Sequence, residues 1–253
     1  MSKPGLDLAR RFGGIARLYG KEQLRVFEQS HVCVVGIGGV GSWVAESLAR
    51  HGIGHITLID MDHLAESNIN RQIHALDSTM GASKVIAMRD RLVDINPSIK
   101  VEIVDDFLAE TNIANYIHSG FHFVIDAIDQ TKVKIALAQH CLKENLPLLM
   151  TGGAGGRTDP TIIQIANLDK TFGDPLLAGI RKHFNKEKRE NGQRITIPTV
   201  FSPEAVIKPE ICEEGDSLEP YAGPAPWPRQ SMPREGGGQR PGVDRLPDRK
   251  SVV

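Results

Sequence analysis

The sequence predicts an α/β fold of the Rossmann-like, doubly wound kind: a mainly parallel sheet with helices on both faces. Three observations carry that expectation. A β-branched run at 31–36 (HVCVVG) ends in the series Gly36-Ile37-Gly38-Gly39-Val40-Gly41 and opens onto a segment of helical spacing. Short apolar runs then alternate with helical patterns along the chain, as they do where parallel strands are joined by crossover helices. The chain has 253 residues, 40% of them hydrophobic and 24% charged, enough for one such domain with an appendage.

Taken in order, residues 1–30 read as an N-terminal arm and helix. After the glycine series, Val40 to His51 carries Val40, Val44 and Leu48 on one helical face. HITLID, ending at Asp60, reads as the second strand. The polar stretch from Met61 to Thr79 has no period and reads as a long loop with short helical pieces, the kind of segment that tends to carry function. Ala82 to Ile95 reads as a helix, with Val85, Met88, Leu92 and Ile95 along one face, stopped by Asn96-Pro97. KVEIVDD and FHFVID (121–126) are further strands, 131–145 a helix, and LPLLMT (146–151) a strand leading into Gly-Gly-Ala-Gly-Gly. TIIQIANL after Pro160 reads as a strand and Asp174 to Arg189 as a helix.

The composition breaks near Gly215. From there to Val253, six glycines and seven prolines make up a third of the segment, with no apolar period. Such a stretch buries too little apolar surface to offset its ordering entropy. The expected organisation is therefore an arm at 1–30, a nucleotide-binding domain at 31–210 and a disordered tail at 211–253. The abrupt change from TVFSPEAVIKPEIC to Pro/Arg/Gly-rich sequence suggests a shifted reading frame near codons 210–216.

Thirty basic residues against 31 acidic ones exclude a chain that binds polyanions over its whole surface. A local basic patch stays open: Arg181, Lys182, Lys186, Lys188, Arg189 and Arg194 lie close together, either as a solvated face or as an RNA contact. No apolar run approaches the roughly 18 residues of a membrane span, and the first twenty residues lack a signal-peptide block, so the reading is cytoplasmic. Cys33, Cys141 and Cys212 form no C-x-x-C pair, which argues against a disulfide framework or a four-cysteine zinc site.

Gly36, Gly38 and Gly41 match G-x-G-x-x-G directly between a strand and a helix, where backbone can approach a phosphate at a helix N-terminus. Asp60 ends the second strand, positioned to accept hydrogen bonds from a ribose. These features suit NAD and ATP alike. Asn68, Arg71, Gln72, Lys84 and Asp129 tip the balance toward ATP. Arg71 and Lys84 can neutralise a triphosphate, and one carboxylate, Asp129, beyond a strand's carboxyl end can hold Mg²⁺ together with phosphate oxygens.

This series resembles the adenylating domain shared by ubiquitin-activating enzymes and the bacterial enzymes that adenylate small sulfur-carrier proteins. The resemblance implies that Gly36, Gly38 and Gly41 face the nucleotide, Asp60 the ribose, Asn68, Arg71 and Lys84 the phosphates, and Asp129 the magnesium. Three stretches, RFGGIARLYG, DMDHLAESNINRQIHAL and TGGAGGRTDPTIIQIANLDKTFGDPL, are similar to one branch, the tRNA threonylcarbamoyladenosine dehydratases. That likeness covers about residues 8 to 210. It implies ATP-dependent cyclisation of a modified adenosine in the tRNA anticodon loop, a homodimer, and a cysteine-desulfurase or sulfur-acceptor partner.

The chain departs from the resembling enzymes in two places. The sulfur-carrier enzymes have an R-Y-N-R type motif where this chain has Arg11-Phe12-Gly13-Gly14, which leaves Arg11 or Arg17 to act across a dimer. Relatives also continue into an apolar, glycine-containing segment that the tail here replaces. The alternatives are an adenylyltransferase for the terminal Gly-Gly of a sulfur carrier, an NAD-dependent oxidoreductase, and a non-catalytic nucleotide-binding protein.

Overall fold

A computed structural model of the chain describes residues 7–191 and 196–207. Seven strands form one sheet in the order β3-β2-β1-β4-β5-β7-β6. The strands are β1 (His31–Val35), β2 (His55–Ile59), β3 (Lys100–Val104), β4 (Phe123–Asp126), β5 (Leu148–Thr151), β6 (Gln164–Asn167) and β7 (Pro198–Phe201). All pairings are parallel except β6 with β7. The doubly wound sheet expected from the sequence is therefore present, with an antiparallel edge strand added.

The helices are α1 (Leu8–Tyr19), α2 (Lys21–Gln29), α3 (Gly41–Arg50), α4 (Lys84–Ile95), α5 (Ile113–Tyr116), α6 (Thr131–Lys143) and α7 (Pro175–Asn191). Among the described residues no helix is long and apolar enough to cross a membrane. β1 lies inside the sheet, between β2 and β4, with all five residues buried, which is why HVCVV reads as a continuous run rather than an alternation. One face of the sheet packs Val34, Ile56 and Leu58 against Ala45 and Ala49 of α3 and Met88 and Leu92 of α4. The other packs Cys33, Val35, Val124 and Met150 against Leu137 and Cys141 of α6 and Leu177 and Ile180 of α7.

Among the described residues the N-terminal segment holds two helices where the sequence suggested one. They meet at Gly20, whose φ of +92° is the left-handed region that suits glycine. α1 is docked by Arg11, which donates to the carbonyls of Asp94 and Ile95 at the C-terminal end of α4, where a cation meets the helix dipole favourably. The predicted TIIQIANL strand is shorter, since Pro160–Ile162 forms a 3-10 turn capped by Asp159 Oδ1, which accepts from Thr161 N at 2.8 Å. β7 is an addition to the expected elements. Its four residues begin with a proline and follow a long charged helix, so neither period nor length marks them as a strand.

Candidate active site

The strand order reverses between β1 and β4, and ligands of open α/β sheets bind beyond the carboxyl ends of the strands at such a point. A cavity of about 540 Å³ opens there. Its size falls within the range of small-molecule sites, roughly 300 to 1,000 Å³. The β1–α3 loop forms its floor, the Asp60–Gln72 loop and Lys84 one wall, and Asp106–Leu108, Ala127–Gln130 and the Thr151–Gly155 loop the rest.

Two of the three fingerprint glycines line this cavity. Gly36 has φ +86°, and a Cβ there would lie 2.8 Å from the Ala127 carbonyl oxygen, so the turn excludes other residues. Gly38 is the opposite case: a Cβ would meet nothing within 4 Å, yet the residue lines the cavity, so its backbone is left bare toward open space. Gly41 corrects the expectation that all three face a ligand. It is buried and absent from the lining, and a Cβ there would lie 1.7 Å from the Gly36 carbonyl oxygen. It lets α3 start against the β1 turn, a close approach that only glycine allows.

Asp60 follows β2 directly. Its Oδ2 accepts from Ile37 N at 2.7 Å and its Oδ1 from Asp62 N at 2.9 Å. The carboxylate thus braces the glycine loop, and each oxygen keeps a second lone pair for a hydroxyl. Asn68 is buried and its Oδ1 accepts from Ala65 N at 3.1 Å, which fixes the turn leading to Arg71. Arg71 donates to the Ser67 carbonyl at 2.6 Å and to Asn70 Oδ1 at 3.0 Å, while its own carbonyl accepts from Trp43 Nε1 at 2.9 Å. Gln72 is buried in the cavity wall with Oε1 unpartnered.

Lys84 is the first residue of α4, where a cation opposes the helix dipole. Its side chain is 8% exposed and its Nζ lies 2.7 Å from Oδ2 of Asp62, whose side chain is 62% exposed. A buried cation at a helix N-terminus, held by one solvated carboxylate, makes a strongly anion-favouring corner. Buried His74 sits nearby with neither ring nitrogen hydrogen-bonded. Burial, then the charges of Lys84 and Arg91, push its pKa down to about 4 and keep it neutral.

Across the cavity, Asp129 is exposed on the loop after β4, and among the described residues no ion pair holds it. A free carboxylate facing two cations suits a magnesium–triphosphate, since Mg²⁺ is bound through few carboxylates plus phosphate oxygens. The residues present therefore fit a nucleotide and its metal. Three residues earlier, Asp126 is fully buried and pairs with fully buried Lys134 at 2.9 Å; burial raises the Asp126 pKa against the lowering effect of that lysine.

The basic stretch divides. Arg181 donates to Thr171 O at 2.6 Å and Thr171 Oγ1 at 2.9 Å, tying α7 to the preceding loop. That bond occupies one nitrogen of a half-buried guanidinium and sets Arg181 apart from its exposed neighbours. Lys182 and Lys186 are exposed on α7, the side chains of Lys188 and Arg189 are not described, and Arg194 lies outside the described residues. Cys33 and Cys141 are buried, away from the cavity, with burial raising both thiol pKa values, Cys141 to about 12. Both belong to the apolar core; Cys212 and the predicted tail lie outside the described residues.

Sequence reasoning missed Asp62, the Asp126–Lys134 pair and the walls at Asp106–Leu108 and Thr151–Gly155. Asp62 had a signal, since a lysine opening a helix needs an acid within reach. The buried pair had none, because a charged residue at helical spacing reads as solvated.

The profile of the ThiF family matches residues 12–207. The tRNA threonylcarbamoyladenosine dehydratase of Escherichia coli is 49% identical over 205 residues, covering 79% of this chain and 76% of that protein. Its Bacillus subtilis namesake is 42% identical over 197 residues, covering 77% of this chain and 76% of that protein. The crystal structure of the Escherichia coli enzyme in complex with ATP superimposes with a TM-score of 0.75, covering 79% of this chain and 84% of that one. Molybdopterin-synthase adenylyltransferase of Escherichia coli stands further off, at 32% identity over 167 residues, 66% of this chain and 64% of that protein. A profile match over most of the chain, together with relatives 49% and 42% identical over more than three quarters of it, shows that the chain belongs to the ThiF family.

Proposed function

We propose that this protein is an ATP-dependent tRNA threonylcarbamoyladenosine dehydratase. The single observation that carries the reading is 49% identity over most of the chain to the Escherichia coli enzyme of that name, whose ATP complex has the same fold. The substrate carboxylate is a poor electrophile until one oxygen becomes a leaving group. In the first step that oxygen attacks the α-phosphorus of ATP, forming an acyl-adenylate and releasing pyrophosphate. In the second, the neighbouring carbamoyl nitrogen attacks the carbonyl carbon, loses its proton and expels AMP, closing a hydantoin-type ring.

In this reading the bare backbone at Gly36 and Gly38 lets phosphates approach the loop, while Asp60 offers free lone pairs to the ribose. Asn68 and Gln72 hold the wall and present amides to the phosphates. Arg71 supplies a planar fork and Lys84 a point charge to the oxygens on which charge builds; Lys84 exchanges the solvated Asp62 carboxylate for phosphate. Asp129 would hold Mg²⁺, and a bound Mg²⁺ would neutralise phosphate charge and polarise the P–O bonds. Ring closure needs no enzyme nucleophile, because the attacking nitrogen is already in the substrate.

Exposed Lys182 and Lys186 on α7 would meet tRNA phosphates, and Lys188, Arg189 and Arg194, close by in the sequence, belong to the same proposal. A homodimer is supported by the large apolar side chains left outside on α1 and α2, Leu18, Tyr19 and Val26. Arg11 is committed to the end of α4, so Arg17, exposed on α1, is the arginine left to act across that dimer. Light scattering tests the dimer, and co-purification with a cysteine desulfurase tests the sulfur-acceptor partner. Pyrophosphate exchange tests the substrate: tRNA bearing the threonylcarbamoyl group should support exchange into ATP, and unmodified tRNA should not. Exchange driven instead by a protein ending in Gly-Gly would transfer the assignment to the sulfur-carrier enzymes.

A further inference from the structure

The amino ends of β1, β2 and β3 lie at the opposite end of the sheet from the cavity. There His31, His55 and Lys100 stand in register, followed by Cys33, Thr57 and Glu102 one layer on, all on the face that elsewhere carries apolar core. In place of aliphatic side chains this corner holds two imidazoles and a carboxylate. The rings of His31 and His55 stack with centroids 3.3 Å apart and planes 10° from parallel, and Phe121 closes one side edge-on at 4.6 Å. One ligating atom from each of His31, His55 and Glu102 lies within 4.8 Å of the others.

The polar groups at this corner are incompletely satisfied. His55 Nε2 is buried and faces Glu102 Oε1 at 3.2 Å without a well-formed hydrogen bond. A buried nitrogen facing a carboxylate without a hydrogen bond has an unmet demand for a partner. His31 Nε2 has only the Thr57 hydroxyl, at 2.8 Å. Lys100 Nζ reaches Glu102 at 2.5 Å, and His118 and His122 complete the surroundings, His122 Nδ1 accepting from His31 N at 3.0 Å. Burial first, and then His55, push the His31 pKa down to about 4, and burial lowers that of His55.

We propose that His31, His55 and Glu102 form a binding site for a divalent transition-metal ion of the zinc type, separate from the nucleotide cavity. Two imidazole nitrogens and one carboxylate oxygen are a zinc donor set, with the fourth position left to water. Binding turns the two rings out of their parallel stack, so that both in-plane lone pairs aim at one ion, and brings the three donors to the roughly 3.3 Å separation that tetrahedral zinc distances imply. It displaces Lys100 from Glu102 and ties three adjacent strands. Mg²⁺, which prefers oxygen ligands, does not compete.

The test is calorimetric titration of the full-length, untagged, chelator-treated protein with Zn²⁺ in the presence of Mg²⁺, with thermal unfolding followed in parallel. One equivalent of Zn²⁺ is expected to bind and to raise the melting temperature. Glu102→Gln removes a partly exposed carboxylate that the fold does not need, and should weaken Zn²⁺ binding by more than about tenfold while ATP binding stays unchanged. His55→Ala should do the same. Absence of Zn²⁺ binding in the parent protein, or a smaller effect of Glu102→Gln, overturns the proposal whether or not His55→Ala folds.

Discussion

Two lysines near helix N-termini each pair with an aspartate, and they differ in how much water reaches the pair. Lys134, in the first turn of α6, and Asp126, at the end of β4, are both wholly buried. Lys84, opening α4, is nearly as buried, but its partner Asp62 is mostly in solvent. The first pair can only be kept or broken, since neither charge can reach water and the other bonds there are to backbone, Ile128 N to the carboxylate and Lys134 Nζ to the Asp126 carbonyl. In the second, the carboxylate can swing into water, which leaves the ammonium free for an incoming anion. Only the second pair lines the cavity through both of its members. One lysine charge holds the fold, and the other is placed to hold a ligand.

Breaking the closed pair should have the largest effect. Lys134→Ala leaves Asp126 buried without a counter-ion and is expected to destabilise the fold by about 3–5 kcal/mol, read as a shift in the urea midpoint. Lys84→Ala should leave that midpoint nearly unchanged and lower kcat by about 10²–10³-fold, as expected when a donor to developing charge is lost. Arg71→Ala should act similarly, and Asp129→Asn should remove turnover with an unchanged circular dichroism spectrum. If Lys84→Ala unfolded the protein as readily as Lys134→Ala, the distinction between the two pairs would fail.

The glycine loop sharpens the same contrast at smaller magnitude. Gly41→Ala forces a methyl against the Gly36 carbonyl and should cost about 1–3 kcal/mol in stability. Gly38→Ala meets no protein atom and should spare stability while weakening ATP binding, measured by titration. Charge reversal of Lys182 and Lys186 together should leave ATP binding alone and reduce the salt slope of tRNA binding by about 1 for each phosphate no longer neutralised.

His74 adds a pH arm. Its folded pKa of about 4 lies below its ordinary value of 6.5, so between those values the unfolded chain binds the extra proton. Its contribution to stability is therefore complete above about pH 6.5 and is lost as the pH falls toward 4. Unfolding midpoints across that window should fall less steeply in His74→Gln.

The part of the site legible in the sequence is the part whose chemistry is local. A glycine loop between a strand and a helix, an acid closing the next strand, Arg71 on a loop without a period and Lys84 at the start of the next helix can all be read from spacing. The walls at Asp106–Leu108 and Thr151–Gly155 come from strand order, which brings β3 and β5 to flank the same crevice and leaves no mark on either segment alone. Gly41 shows the converse error, since the motif groups it with Gly36 and Gly38 although the helix start alone requires it. Arg181 reads as one more charge in a basic run, and only the fold reveals that its guanidinium is used on Thr171. β7 is hidden because a four-residue strand beginning with proline carries no period.

The most direct test of the proposed activity is mass spectrometry of the nucleosides of threonylcarbamoylated tRNA after incubation with this protein, ATP and Mg²⁺. The expected result is conversion of N6-threonylcarbamoyladenosine to a product lighter by one water, with one AMP and one pyrophosphate released per nucleoside, and loss of the conversion in Lys84→Ala. Unchanged nucleoside in the presence of folded, ATP-binding protein would contradict it.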